Sequence, residues 1–299
     1  MAFRLKQNES ASRSVRRIAG EQIEKAIAEI DDPSLKQSEK VHQVRKRCKQ
    51  LRGLVRLVRY SMTDDFPYSR QNAQFREIAK PLSEVRDSKT LLDTYDDLVE
   101  QFAEQIRQDA FQSIRHQLAQ QRQQLLRHDI DVEKRLAETR GQFNKALTRV
   151  RRWRLDAKGL NAWSAGFGET YSRARTAIRV AQSKPSTEAF HEWRKRVKYH
   201  SYHCNLLRYL WPAIMQTRQT EAERLGDWLG MHHDLAVLKL RIRNSPRDYG
   251  SRKITNGFVA LIDQRSAQLE SHTFSLGQRM FADNKKCFLK RHRRYWKSM

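Results

Sequence analysis

The feature of this chain that most limits its fold is an internal duplication of a basic segment. VHQVRKRCKQLRGL begins at Val41, and FHEWRKRVKYHSYH begins at Phe190. When His42 is aligned with His191, an offset of 149 residues, four further basic pairs coincide: Arg45 with Arg194, Lys46 with Lys195, Arg47 with Arg196 and Lys49 with Lys198. A duplication of this kind predicts two similar helical halves that pack against each other.

Residue spacing predicts that both halves are helical. The chain has only 11 glycines and 6 prolines among its 299 residues, and apolar residues recur at helical spacing among strong helix formers. We predict helices at about 12–31, 37–60, 69–83, 88–128, 130–154, 160–182, 187–210, 213–230, 234–244 and 251–282, the fourth and last of which are candidates for a break.

The predicted fold class is therefore all-α. We expect two tandem four-helix-bundle-like halves, residues 12–155 and 160–295, within one domain of residues 1–299. In this arrangement the halves are related by pseudo-twofold symmetry around a basic central cavity.

On a helical wheel, the first copy separates into an apolar face and a face that carries His42 and five cations. The cations lie within about 80° of His42 and are Arg45, Lys46, Lys49, Arg52 and Arg56. This set with His42 is the first cationic face. Like charges three and four residues apart repel each other, and no acidic residue between His42 and Arg59 relieves that repulsion. The pattern favours an anion-binding surface over a solvated helix face.

The second copy repeats this face in a shorter form. His191, Arg194, Lys195 and Lys198 lie on the same arc and form the second cationic face. Ser201 and Asn205 take the places of Arg52 and Arg56, respectively. Tyr202 lies on the same arc and offers a hydroxyl group to an anion. If the two faces line one groove, that groove suits a linear chain of phosphates, because arginine binds phosphate oxygens in pairs and lysine adds a mobile charge.

The overall charge indicates a polyanionic partner. Lys and Arg total 59 and Asp and Glu total 34, which leaves a net charge of +25, and such an excess favours nucleic acid, polyphosphate or an anionic surface. No apolar run is long enough to span a membrane, so membrane insertion is not expected. Three scattered cysteines and the lack of a signal peptide favour a cytoplasmic protein.

Enzyme and metal chemistry are weaker interpretations. Asp87 and Asp234 follow the two histidines at similar distances, and we interpret them as N-caps of helices, with a charge-partner role for the basic cluster as the alternative. His200 falls on the apolar face and is expected in the core. We expect no catalytic group and no cofactor, because the two histidine-bearing helices supply only cations to the shared face. The histidine pairs His200–His203 and His232–His233 are not expected to bind a metal, since no carboxylate or thiolate completes a ligand set around them.

Sequence-nonspecific binding of nucleic acid is the main alternative function. The net charge and the basic tail KKCFLKRHRRYWK suit attraction to a phosphate backbone. Tyr295 and Trp296 in that tail are candidates for base stacking, although packing against the body of the protein is the favoured interpretation. No helix-turn-helix, zinc-finger, RNP or KH signature occurs in the sequence.

The paired H-x-x-R-K-x-x-K segments, with the downstream VRD and HHD sequences, resemble the CHAD family, the conserved-histidine α-helical domains. The resemblance spans about residues 12–290 and implies two four-helix halves, a basic central cavity, binding of inorganic polyphosphate and association with polyphosphate granules. It implies phosphate contacts in both cationic faces and from the first helix of each half, where Arg17 and Arg175 lie. Many relatives carry a CYTH triphosphatase domain with an ExExK motif; no such motif occurs here, so a stand-alone binding module is expected.

Overall fold

The computed structural model describes residues 3–82, 84–107, 109–127 and 132–299, with the side chains of 84–89 and 125–127 outside the description. The described residues form twelve α-helices and no β-strand, so the predicted all-α class is confirmed. The helices are α1 Ala11–Asp31, α2 Gln37–Leu57, α3 Tyr68–Ala79, α4 Glu84–Gln101, α5 Gln112–Arg127, α6 Val132–Val150, α7 Asn161–Ser183, α8 Thr187–Leu206, α9 Pro212–Asn244, α10 Pro246–Tyr249, α11 Arg252–Met280 and α12 Lys285–Lys297.

Local sequence signals determine where several of these helices begin. Ser10, Ser186, Ser251 and Asn284 each accept a hydrogen bond from the backbone amide three residues later, which satisfies one otherwise unpaired donor. The helix α9 begins instead with Pro212, whose missing N–H would have no partner at that position.

The duplication is visible in the helix bounds. The helices α7 and α8 begin 150 residues after α1 and α2, respectively. The counterpart of the segment from α3 to α4 is the single helix α9. The expected pseudo-twofold relation between the halves stays a prediction.

The larger hydrophobic core joins both halves. It contains the apolar faces of α1, α2, α3 and α6 together with those of α7, α8, α12 and the first part of α9. Two glycines allow the halves to approach closely: a Cβ at Gly166 of α7 would lie 2.0 Å from the carbonyl oxygen of Leu57, and one at Gly53 of α2 would lie 2.9 Å from Cδ2 of Tyr202. The absence of a side chain at these two glycines therefore allows α2 to lie close to α7 and α8.

A second hydrophobic core lies between α4, the C-terminal part of α9 and α11. Leu92, Tyr95 and Leu98 of α4 pack with the distal part of α9 and with α11, where Leu238 and Phe258 are fully buried. This core also contains residues from both halves, so the two halves share both of their cores.

Three helix predictions need correction. We expected a break between 230 and 234, but α9 runs without interruption from Pro212 to Asn244, because no proline occurs between Pro212 and Pro246. In the first half, by contrast, Pro81 lies in a 3-10 turn between α3 and α4. The predicted candidate break in the last helix, 251–282, is also wrong, since α11 is continuous from Arg252 to Met280. The helix α12 was not predicted. The considered break in the fourth helix is confirmed between α4 and α5.

None of the described helices has the length and apolar character needed to cross a membrane.

Candidate functional site

The helix α2 buries its apolar side and leaves the first cationic face outside the core. The side chains of Val44, Cys48, Leu51 and Leu54 are all 0% exposed. On the opposite side, His42, Lys46 and Lys49 are exposed, and Arg45, Arg52 and Arg56 are half-buried. The separation predicted from the helical wheel is therefore present in the structure.

Neutral groups hold two arginines of this face against α3. Arg45 donates to the carbonyl oxygen of Ala79 at 3.4 Å, and Nε of Arg52 donates to Oδ1 of Asn72 at 3.3 Å. These contacts limit the rotamers of the side chains, but they place no negative charge on Arg52. The guanidinium group keeps donors for an anion.

The first cationic face reaches the second half of the protein at Arg56. Its guanidinium carbon lies 4.4 Å from the ring centre of Tyr199 of α8 and 5.8 Å from that of Tyr68 of α3. Cation–π contacts of this kind contribute about 0.5–1 kcal/mol at exposed sites. The C-terminal end of the first cationic face is thus directed toward α8.

Acidic residues partly neutralise the second cationic face. Glu192 forms ion pairs with Lys195 and with Arg196, and Lys198 Nζ lies 2.8 Å from Oδ1 of Asp227 on α9. Sequence reasoning missed Asp227, because a residue 29 positions away carries no local signal of contact. An anion at this face competes with carboxylates.

The helix α9 has no side chains at two positions where the second cationic face packs on it. The guanidinium group of Arg194 lies over Gly230, where a Cβ would be 3.1 Å from its NH2 nitrogen, and the stem of Lys198 lies over Gly226. Both glycines therefore let the cations lie close to the helix axis.

His191 is half-buried beside His233 of α9, with 4.8 Å between the ring centres. Burial lowers the pKa of His191, and the nearby His233, Lys195 and Arg194 lower it further. His191 is consequently neutral at pH 7 and acts as a hydrogen-bonding group in the absence of an anion.

The environment of His42 is different. It lines a cavity of about 380 Å³ with Asp93 and Asp97 of α4 and Asp234 of α9. No acidic residue follows His42 within the first cationic face, but carboxylates from two other helices meet the N-terminal end of that face.

The N-cap interpretation of the two aspartates is wrong. Asp234 lies in the interior of α9, twenty-two residues after its start, and its place beside His42 agrees with the charge-partner alternative in location. Asp87 is inside α4, which begins at Glu84, and its side chain lies outside the described residues.

The predicted contacts on the first helix of each half have different surroundings. Arg17 forms ion pairs with Glu9, at 2.8 Å, and with Glu21, so a phosphate would have to displace carboxylates to reach it. Arg175 lies four residues after Tyr171 in α7. Phosphate contacts from both arginines stay predictions.

Tyr202 packs closely against α2. Its ring lies on Gly53, and burial raises its pKa to about 12. The hydroxyl group of Tyr202 is therefore protonated and a donor at any physiological pH; its contact with an anion stays a prediction.

The histidine pairs form no metal site in the described part of the chain, where no group of three or more ligating side chains occurs. His200 is completely buried, as predicted, and its Nε2 accepts a hydrogen bond of 3.0 Å from Arg218. The aromatic residues of the basic tail pack on the body, also as predicted: Tyr295 contacts Trp211 and Trp296 contacts Tyr209.

Of the predicted site residues, His42 lines a cavity. An enclosed central cavity between the two cationic faces stays a prediction.

The helices α2 and α8, which carry His42 and His191 and which we call the two histidine helices, contact each other within an all-α, strongly basic protein. These features define a class of histidine-bearing helical domains, and comparison with protein families gives the same class. The model of the CHAD domain matches residues 17–243, and no CYTH domain is matched within these 299 residues. The chain belongs to the CHAD family. A comparison with curated proteins gave no match.

Proposed function

We propose that this protein binds inorganic polyphosphate, without catalysis, through the first and second cationic faces. The carrying observation is that the first cationic face has no acid between His42 and Arg56 of its own helix and is directed at its C-terminal end toward α8, through the contact of Arg56 with Tyr199. Membership of the CHAD family supports this ligand, because polyphosphate binding is a property of the family.

The chemistry of the faces suits a flexible chain of phosphates. Within the described residues, Lys46, Arg52 and Arg56 form no ion pair, so a ligand need not displace a carboxylate to reach them. Each charge-assisted hydrogen bond contributes about 1.5–3 kcal/mol. At the second cationic face, a ligand must first break the ion pairs of Lys195 with Glu192 and of Lys198 with Asp227. We therefore expect the first face to bind more strongly than the second.

Nucleic acid is the second candidate, and α12 is the observation in its favour. Five cations of this helix are exposed and form no ion pair in the described structure: Lys286, Lys290, Arg293, Arg294 and Lys297. Tyr295 and Trp296 pack on the body, however, and are not free to stack on bases. We expect α12 to attract any polyanion by charge alone.

The test is a titration with long-chain inorganic polyphosphate beside single-stranded DNA of equal total charge. The binding variant replaces Lys46, Arg52 and Arg56 by glutamine, and the control replaces Lys290, Arg293 and Arg294 of α12, which removes the same charge. We expect the binding variant to lose at least about tenfold in polyphosphate affinity, since three charge-assisted contacts are removed, and the control to change less than about threefold.

Salt dependence provides a second reading of the same variants. The logarithm of affinity falls with the logarithm of salt concentration by about 0.7–0.9 per neutralised phosphate, so the binding variant should lose about two units of slope. If both variants weaken polyphosphate equally, or DNA binds as tightly as polyphosphate, bulk charge explains the binding and the proposal fails. Because Arg56 packs between helices, the double variant Lys46→Gln and Arg52→Gln is measured alongside, with circular dichroism for each protein.

The proposed location is the cytoplasm, on polyphosphate granules where the cell forms them. Imaging of a tagged chain in cells with and without polyphosphate tests this. A distribution that ignores polyphosphate would refute granule association.

A further inference from the structure

A second cationic region lies on the first half of the protein, outside both cationic faces. It is a cavity of about 720 Å³ between α1, the N-terminal end of α3 and the residues that follow α6. We call it the arginine cavity, because six of its lining residues are arginines: Arg16, Arg70, Arg149, Arg151, Arg152 and Arg154. One acidic residue, Asp65, lies in the same lining.

Within the described residues, the arginines of this cavity are not paired with acids. In the described part of the chain, Arg70, Arg149, Arg151, Arg152 and Arg154 form no ion pair and no side-chain hydrogen bond. Arg16 is different, since it donates to the carbonyl oxygen of Trp153 at 3.0 Å and so fixes one wall. Five like charges around one space repel one another, and an anion between them removes that cost.

Helix dipoles do not account for this cluster. The helix dipole stabilises cations near the C-terminus of α6, which accounts for Arg149 at its last turn. Arg70, however, lies in the first turn of α3, where the dipole opposes a positive charge. That first turn has no side-chain cap, so its backbone amides add further donors for an anion.

The arginine cavity is separate from the first cationic face. Asn72 of α3 binds Arg52 of that face, whereas Arg70 and Gln74 lie about 160° around α3 from Asn72, as 100° per residue requires. The helix α3 therefore stands between the two regions.

We propose that the arginine cavity binds a short phosphoanhydride chain, of the length of a triphosphate. Arginine forks bind phosphate oxygens in pairs, and the volume is within the range of about 300–1,000 Å³ that small-ligand sites have. This site does not depend on the proposed function, because it uses arginines from α1, α3 and the end of α6 and none from the cationic faces. The same chemistry is offered by free inorganic tripolyphosphate and by the phosphate tail of a nucleoside triphosphate.

Calorimetric titration with tripolyphosphate tests the proposal. The cavity variant replaces Arg70, Arg151 and Arg154 by glutamine; all three are exposed, so the fold should tolerate the changes. The charge-matched control is the α12 variant with Lys290, Arg293 and Arg294 replaced. We expect the cavity variant to lose at least tenfold in tripolyphosphate affinity, and the control and the cationic-face variant to change less than about threefold.

Three results would overturn the proposal: unchanged affinity in the cavity variant, an equal loss in the α12 control, or displacement of tripolyphosphate by sulfate at equal charge concentration. A parallel titration with ATP distinguishes the sources. Affinity equal to that of tripolyphosphate assigns the site to the shared phosphate tail, and much weaker binding assigns it to the free chain. Loss of long-chain polyphosphate binding in the cationic-face variant, with tripolyphosphate binding retained, separates this site from the proposed function.

Discussion

The imidazole of His203 in α8 donates from Nε2 to the carbonyl oxygen of Gly53 in α2, over 3.0 Å. This bond joins the two duplicated helices directly, and both groups are buried. Burial lowers the pKa of His203 to about 3, so the ring is neutral at physiological pH. The contact between the two halves therefore depends on an uncharged histidine.

Acid should destabilise the protein through its buried histidines. Burial also lowers the pKa of His292 to about 4. Both pKa values lie below the ordinary 6.5 of histidine, so in acid the unfolded chain binds more protons than the folded protein. The contribution of these histidines to the free energy of unfolding is therefore fully present above pH 6.5 and is lost as the pH decreases toward these values. For His292 alone the loss is on the order of 3 kcal/mol at pH 4.

The measurement is the free energy of unfolding in urea between pH 7.5 and pH 4.5. The variant His203→Gln keeps a donor for Gly53 but does not titrate, so its stability should fall less steeply with pH. A pH profile identical to that of the wild type would contradict the assignment.

Adding a methyl group at Gly53 should separate the two histidine helices. In Gly53→Ala, the new Cβ would lie 2.9 Å from Cδ2 and 3.2 Å from Cβ of Tyr202, and overpacking of this kind costs about 1–3 kcal/mol. The gain in helix propensity of about 1 kcal/mol offsets part of this. We expect a lower midpoint in thermal unfolding.

Gly141 provides the control for that change, because it is exposed in α6 and a Cβ there would meet no atom within 4 Å. Gly141→Ala should raise stability by about 0.5–1 kcal/mol. If both alanine variants are stabilised, α2 and α8 are not in the close contact described.

Releasing Lys198 should strengthen polyphosphate binding. Asp227→Asn removes the carboxylate that pairs with Lys198 at 2.8 Å, and we expect affinity to rise by about two- to fivefold, since exposed ion pairs are worth less than about 1 kcal/mol. Asp263→Asn is the matched control, because Asp263 pairs with Lys239 of the same helix α9. Equal gains in both variants would indicate a general effect of net charge.

Polyphosphate binding should be coupled to protonation of His191. Its pKa lies below the ordinary value because of burial and the nearby cations and His233, and a bound polyanion next to it raises that pKa. The affinity should therefore increase as the pH falls below about 6.5. Calorimetry in two buffers of different ionisation enthalpy measures the proton uptake, and the variant His191→Gln should abolish most of it. No uptake in the wild type would place the polyanion away from His191.

The thiols report the packing of the two duplicated helices. Cys48 of α2 and Cys204 of α8 are buried, and burial raises the pKa of each to about 12, whereas Cys287 is exposed. A thiol reagent should modify one cysteine in the native protein and all three after unfolding. Rapid modification of Cys48 or Cys204 under native conditions would show that the core is open.

The sequence by itself determined the helical class, the family, the buried sides of α2 and α8, and the core position of His200. These properties depend on residue spacing within about 20 residues, which the helical period converts directly into one face of a helix. Even the start of α9 at Pro212 is a local signal.

Only the tertiary structure decided which charges meet. It brought Glu9 to Arg17, Asp227 to Lys198 and Asp234 to the cavity of His42, and it assembled arginines from three separate segments around one space. The physical reason is that such contacts depend on how helices cross. Crossing geometry is set by the fit between buried residues, such as the ring of Tyr202 against the bare backbone of Gly53, rather than by any pattern along the chain.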